Sequence, residues 1–553
     1  MKNITFSVRE RELLVQQLAD EEFDLLVIGG GINGAGVARD AASRGLRVAL
    51  IEADDFASGT SSRSSKLIHG GIRYLEKLEF RLVFEALNER TRLFAMAPHL
   101  VHPLRFVLPL YDGGRVGMFK MGLGMMLYDL LASFDAPEGF ERLSKRESLA
   151  RLSMLREPGL LGSYVYSDAY MDDDRLVLET LRDAHRRGAV CANYVSMTGG
   201  LWEGEAEDRK LRGAQCLDRQ SGQAFAVRAR HVVSTLGPWT DLVGKELLPD
   251  WKPILRPSKG VHITLDRGRL PLTSAVVMAA DKSQRIVFAI PRHDMIIVGT
   301  TDTDFPDDPR DVHTTTEDVD YLLEVAGHYF PGANLTRADI LASYAGVRPL
   351  VDDGAGSESQ VSREHKIWRD PRGITFVVGG KYTTYRKMAE DTVAEALRSF
   401  PLAEQVRFAR SATDEPLNPR VDPELYERAL ASVERWSSEQ QIPLAIMQNL
   451  VERFGEEACD LFLIYNSYIA NGSTAELAYW QTLAEHAIEQ TMCVHLLDFY
   501  LRRTPLFLSY RDHGFAFLAE LADLFARRLL WSSKQRAEEV SRVHEHVRHE
   551  MCW

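Results

Sequence analysis

Residues 24–52 read as a strand, a glycine turn, a helix and a second strand, and no other feature limits the fold of this chain so tightly. The apolar run DLLVI (24–28) leads into Gly29, Gly30 and Gly31, residues 32–44 form an alanine-rich helical stretch ended by Gly45, and RVALIE (47–52) is a second buried strand. Two parallel strands need a crossover between them, so a parallel α/β layer is predicted. Gly29, Gly31 and Gly34 stand at G-x-G-x-x-G spacing. The first permits the tight turn, the second lets backbone approach a pyrophosphate, and the third allows close helix–strand packing. Backbone N–H groups at the helix start then favour phosphates. Glu52, closing the second strand, can accept both hydroxyls of an adenosine ribose and would repel a 2′-phosphate, which disfavours NADP. NAD and FAD both remain open at this point. Residues 55–76 are rich in small hydroxyl residues and glycine, suited to tracking an extended cofactor, and they favour FAD.

Composition closes off other classes. The 553 residues are 45% hydrophobic and 26% charged, which excludes disorder and permits a large core. A net charge of −13 argues against a general nucleic-acid binder, whose surface must be basic. Five dispersed cysteines without a CxxC pair read as reduced thiols, and residues 1–24 lack an apolar signal segment, so a cytoplasmic compartment is expected. No metal site is expected, because His544, His546 and His549 do not share one helix face and the other histidines lack partners at ligand spacing.

Further along, residues 172–187 read as a helix, 231–236 and 376–380 as strands, and 261–301 as a β region ending in an antiparallel hairpin. The three-proline segment 411–423 reads as a linker, with a helical remainder beyond it. In the most apolar stretch, 116–134, Lys120 and Asp129 argue against a membrane span. Val116, Phe119, Leu123, Met126, Leu127, Leu130, Leu131 and Phe134 instead make one helical stripe, which on residues alone is a core face; a face resting on headgroups is the alternative.

From residue 24 to 76 the chain resembles the FAD-dependent glycerol-3-phosphate dehydrogenases, the respiratory, quinone-reducing family. The likeness continues through Met96-Ala97-Pro98-His99, Gly237-Pro238-Trp239, Lys259-Gly260-Val261-His262, Phe288-Ala289-Ile290-Pro291-Arg292, Val298-Gly299-Thr300-Thr301-Asp302, Ala345-Gly346-Val347-Arg348-Pro349-Leu350 and Gly379-Gly380-Lys381-Tyr382-Thr383-Thr384-Tyr385-Arg386. One departure is Thr235-Leu236-Gly237, where the family more often has alanine-threonine-glycine.

The resemblance implies an α/β fold, α+β overall, in three parts. A discontinuous, Rossmann-like FAD-binding domain takes residues 20–100, 160–240 and 340–400. An antiparallel-sheet substrate domain takes 101–159 and 241–339, with 116–134 as a membrane-contact helix, and a helical C-terminal cap takes 401–553. It implies oxidation of sn-glycerol 3-phosphate to dihydroxyacetone phosphate, with electrons passed from FAD to membrane quinone. The expected place is the inner face of the cytoplasmic membrane, and the expected assembly a homodimer.

FAD would be held by Gly29, Gly31, Asn33, Gly34, Glu52, Thr60, Ser61, Ser62, Ser65, Lys66, Leu67, Gly237, Gly380 and Thr383. His69, Arg348 and Lys381 would act in catalysis, with Arg73, Tyr74, His262 and Arg292 binding substrate. A phosphate dianion needs paired cations, and loss of the C2 hydroxyl proton needs a base; His69 is preferred over His262 because the cofactor-following stretch runs into it. Three rival readings stand beside this one: an oxygen-reducing glycerol-3-phosphate oxidase, an amine or amino-acid oxidase of the same fold, and a flavin-binding scaffold. The 33 positions between Arg348 and Lys381 leave little room for the insertion such oxidases tend to carry.

Overall fold

The computed structural model describes residues 5–114, 116–132, 137–205, 208–280, 285–352 and 365–553, with the side chains of Arg73, Glu76 and Lys77 outside that description. Glu22–Ile28 is the centre of an eight-stranded sheet, parallel to Val48–Ile51 on one side and to Ala224–Ser234 on the other. Ile374–Gly379 continues the parallel run beyond Ala224–Ser234, and Val190–Ala192 closes the far edge. Residues 23–28 are buried without alternation, as expected for a strand covered on both faces. Ile32–Ser43, Asp173–Arg186 and Tyr385–Leu397 pack side by side over the sheet, and the alanines and glycines of Ile32–Ser43 allow its close approach; Arg11–Asp20 packs against Ala224–Ser234 and Val190–Ala192.

A second, ten-stranded sheet is mostly antiparallel and is built around Ser258–Asp266, Met295–Gly299, Arg285–Arg292, Ala275–Ala280, Val101–Tyr111 and Leu160–Met171. The expected hairpin is present, with Arg292 opposite Met295 across a two-residue turn. The expected domain boundaries need correction at three strands. Leu67–Ile68, Leu160–Met171 and Ile340–Arg348, assigned from sequence to the FAD-binding domain, pair instead in this second sheet, the first with the second, the second also with Val101–Tyr111 and the third with Ser258–Asp266. Strand pairing is non-local, and an apolar run does not carry the identity of its partner.

From Leu402 onward the chain is helical, with its own apolar core around Leu521, Phe525, Phe499 and Leu450. It is fastened to the body by buried ion pairs, among them Arg182 with Glu457 at 2.7 Å and Arg502 with Asp55 at 2.6 Å.

Candidate active site

A cavity of about 770 Å³ opens where the parallel strands end, at Ile28, Ile51, Thr235 and Gly379, and its opposite wall is the second sheet, through Gly260, His262, Gly346 and Arg348. Ligands of open α/β sheets bind outside such carboxyl ends. Its size is that of a site for a large organic ligand.

At one end, helix Ile32–Ser43 starts directly from the glycine turn. A Cβ on Gly34 would lie 1.9 Å from the Gly29 carbonyl oxygen, so only glycine permits this helix to sit so close to the strand. Ser61 Oγ accepts the Ile32 N–H at 2.9 Å, which draws the hydroxyl-rich segment over the helix start. Glu52 accepts the Gly30 N–H at 2.6 Å and the Asp54 N–H at 2.9 Å, one on each carboxylate oxygen. Each oxygen keeps a lone pair for a ribose hydroxyl. Burial pushes this carboxyl up to about 7 against the pull of those two N–H groups. The residues present therefore fit an adenosine diphosphate-type cofactor: a glycine cradle for the pyrophosphate and an acceptor pair for the ribose.

Gly29, Gly31, Asn33, Glu52, Thr60, Ser61, Ser65, Leu67, Gly237, Gly380 and Thr383 all line the cavity. Gly34 lies beneath the turn, and Ser62 and Lys66 are outside the lining. Lys66 Nζ is turned to the buried Asp173 carboxylate, which raises its pKa above the ordinary value despite burial. Thr60 spends its hydroxyl on the Val347 carbonyl at 2.6 Å. Sequence reasoning missed the walls supplied by Val195, Met197, Arg219 and Leu242, which belong to no motif; Trp239 stood in the Gly237-Pro238-Trp239 block but was not singled out.

The other end gathers His69, Tyr74, His262, Arg348 and Lys381. Lys381 Nζ sits 3.7 Å from the Tyr74 ring centre, a cation–π contact. Arg348 is held by Asp302 at 3.0 Å and the Thr300 hydroxyl at 2.8 Å. His262 stacks on Tyr344 with ring centres 4.7 Å apart, and its Nε2 meets Ser65 Oγ at 2.9 Å. Burial, then Arg348 and Lys66, hold its imidazole well below the usual histidine range. His69 is also lowered, by burial first, with Asp168 opposing and Lys381 adding. Both imidazoles are thus neutral near pH 7 and able to accept a proton. Arg292 lies elsewhere: its guanidinium is buried against Asp172 and stacked over Tyr170, outside the cavity. The Arg73 side chain lies outside the described residues.

The apolar stripe of the 116–134 region falls on helix Met118–Leu131, whose buried residues are Met125 and Tyr128. The expected core face is turned outward: Phe119 is 81% exposed, Met126 61%, Leu130 57% and Leu123 54%. Leu78, Phe80 and Phe84, on segments packed against this helix, extend the apolar surface. Periodicity reveals a stripe but not what covers it. Phe134 lies outside the described residues. Among the described residues no helix is long and apolar enough to cross a membrane.

Comparison with known proteins gives consistent results. A family model described as FAD dependent oxidoreductase matches residues 24–386, and one described as the C-terminal domain of alpha-glycerophosphate oxidase matches residues 422–536. The chain is 37% identical over 410 residues to the aerobic glycerol-3-phosphate dehydrogenase of Staphylococcus haemolyticus (strain JCSC1435), covering 74% of this chain and 73% of that one. It is 32% identical over 526 residues to the protein of the same name from Staphylococcus saprophyticus, covering 95% and 94%. The solved glycerol-3-phosphate dehydrogenase from Bacillus halodurans, complexed with FAD, is similar at TM-score 0.79 and 28% identity, covering 99% of this chain and 98% of that chain.

Proposed function

The chain belongs to the FAD-dependent oxidoreductase family, in the group of the aerobic glycerol-3-phosphate dehydrogenases, and from that premise we propose that it oxidises sn-glycerol 3-phosphate at C2 to dihydroxyacetone phosphate. The observation that carries the reading is the convergence of two cations, Arg348 and Lys381, with a neutral imidazole, His69, at one end of a cavity whose other end fits FAD. That set meets the two demands of the reaction, a seat for a phosphate dianion and an acceptor for a hydroxyl proton.

Gly29, Gly31, Ser61 and Glu52 would hold the FAD, which supplies the acceptor for the hydride leaving C2. Lys381, steered by Tyr74, meets the substrate phosphate as a mobile point charge. Arg348, its fork fixed by Asp302 and Thr300, lies beside the C2 oxygen and stabilises the negative charge that grows there. His69 takes the hydroxyl proton as C2 becomes a carbonyl carbon. Arg73 belongs to the same proposal, on the substrate side.

The onward acceptor in this reading is membrane quinone, reached by a chain resting on the inner face of the cytoplasmic membrane. Support comes from the outward apolar stripe Phe119, Leu123, Met126 and Leu130, a surface that water disfavours and a bilayer interface accepts.

The test is an anaerobic absorbance scan of the FAD-loaded protein before and after glycerol 3-phosphate. Bleaching of the oxidised-flavin bands is expected, with rapid recovery on a quinone analogue and slow recovery on oxygen. Flavin that stays oxidised overturns the substrate assignment; recovery as fast with oxygen as with quinone makes the protein an oxidase.

A further inference from the structure

Beside His69 lies a buried carboxylate that the mechanism above leaves unused. Strand Leu67–Ile68 runs antiparallel to Leu160–Met171 with Leu67 opposite Tyr170 and Ile68 opposite Ala169, so one further step of the same register sets His69 opposite Asp168. Directly opposed residues present their side chains on one face of a sheet, near enough to interact. Asp168 is 1% exposed. Arg90 donates to its Oδ1 at 2.7 Å, the Tyr128 hydroxyl to its Oδ2 at 2.7 Å, and the Gly70 N–H, next to His69, to Oδ1 at 3.4 Å. The Tyr128 hydroxyl itself lies against that turn: a Cβ on Gly70 would come within 2.5 Å of it.

Burying a carboxylate and a guanidinium this deeply is costly, and replacing such a pair with apolar side chains is often neutral or stabilising. An ion pair kept here at the end of a catalytic strand therefore calls for a role beyond stability. We propose that Asp168 is a positioning residue for His69: it holds the Gly70 turn, fixes the imidazole toward the cavity, and stabilises the imidazolium formed when His69 takes the C2 hydroxyl proton. The proposal rests on the reading of His69 as base.

The charged and titratable groups around His69 divide by element. Asp168 comes from the neighbouring strand, Lys381 from the turn after Ile374–Gly379, Tyr74 from the short helix following Gly71, and Arg90 and Tyr128 from the two helices that pack behind Asp168. Of these, Asp168 pulls the imidazole's proton affinity up and Lys381 pulls it down. Neutralising Asp168 removes the upward pull. Removing the Tyr128 hydroxyl leaves the carboxylate less shared and strengthens it. The two changes therefore move His69 in opposite directions, which general damage to the fold does not do.

The experiment is stopped-flow reduction of FAD-loaded protein by glycerol 3-phosphate, without oxygen, across pH 5 to 9 in roughly half-unit steps, for Asp168→Asn, Tyr128→Phe and His69→Gln. For Asp168→Asn the limiting rate at neutral pH should fall about a hundredfold, and the acid limb of the profile should move down by roughly one pH unit, with FAD content retained. For Tyr128→Phe the acid limb should move up by a few tenths of a unit. Acid limbs unmoved in both variants, or moved the same way, overturn the proposal. If Asp168→Asn does not fold, the upward shift in Tyr128→Phe decides alone. His69→Gln separates the two readings: wild-type rates there remove His69 as base, whereas slow His69→Gln beside unmoved limbs in the other two removes only the role of Asp168.

Discussion

Arg502 donates from Nε to Asp55 Oδ2 across 2.6 Å, and with it the last third of the chain grips the segment that leaves Glu52 for the cavity. Arg503 binds the same carboxylate, reaching Oδ1 at 3.0 Å, and all three side chains are buried. The helical C-terminal region thus acts on the cofactor end of the site without lining it. Burial alone would raise the Asp55 carboxyl; Arg503 and Arg502 overcome it and hold the group below the ordinary value. Stability from this clamp is present above the unfolded carboxyl's pKa and is lost as pH falls through the folded one. Asp55→Asn takes the carboxylate from the buried Arg503 guanidinium, while Arg502 keeps Asp498 at 2.6 Å, and should cost about 3 kcal/mol. Urea melts near pH 7 should show that loss together with weaker FAD retention. A melt within error of the parent would mean the C-terminal region is not anchored through Asp55.

Gly34→Ala tests the cofactor cradle. The added methyl carbon would lie 1.9 Å from the Gly29 carbonyl oxygen, a backbone atom of the turn, and 2.8 Å from the Thr235 hydroxyl that donates to that same carbonyl. The helix must therefore move away from the strand, taking its N–H groups with it. Protein purified from this variant should carry less than about a tenth of the parent's flavin, a loss of order 1.4 kcal/mol or more in affinity. Full flavin content would show that the turn tolerates the shift and that the pyrophosphate is not held there.

Glu52 makes a pH prediction of the opposite sign to Asp55. Burial lifts its carboxyl from the ordinary 4.5 up to about 7, over the opposing Asp54 and Gly30 N–H groups. Between those values the folded protein binds a proton that the unfolded chain does not, so stability falls as pH rises through that window and levels off above it. Melting temperature of protein stripped of FAD should therefore decline from pH 5 to about pH 7 by this contribution, and Glu52→Gln should flatten the decline. The same variant should bind FAD more weakly, having lost ribose acceptors. A decline of equal slope in Glu52→Gln would assign it to another group.

How much of this was legible beforehand follows physical locality. The turn at Gly29 to Gly34, its helix and Glu52 were readable because sequence neighbours build them. His69, Tyr74, Arg348 and Lys381 became candidates only through ordered motif blocks, since a lone cation or imidazole carries no sign of its partners. Lys66 and Arg292 sat in the same blocks, yet their side chains face Asp173 and Asp172, carboxylates that only the fold brings near. The strands Leu160–Met171 and Ile340–Arg348 were assigned to the other sheet for the same reason. Asp168 went unnoticed altogether, because its relation to His69 is one of register.

The outward stripe on Met118–Leu131 gives the last prediction. Phe119, Leu123, Met126 and Leu130 recur at helical spacing with more than half of each side chain in water. Removing one such side chain from water is worth about 1.5–3 kcal/mol, and the helix is already formed, so even partial insertion of four contributes several kcal/mol to attachment. The chain's net charge of −13 gives no attraction to anionic lipid, so apolar contact has to carry the binding. Attachment to neutral phosphatidylcholine vesicles should then persist in high salt, where charge-driven attachment is screened away. Phe119→Glu with Leu123→Glu should cut co-sedimentation at least about tenfold, since two charges would enter the interface. Neither residue lines the cavity, so anaerobic bleaching by glycerol 3-phosphate should keep the parent's rate. Undiminished co-sedimentation would assign the stripe to another surface, and binding lost in salt by the parent would make the contact electrostatic.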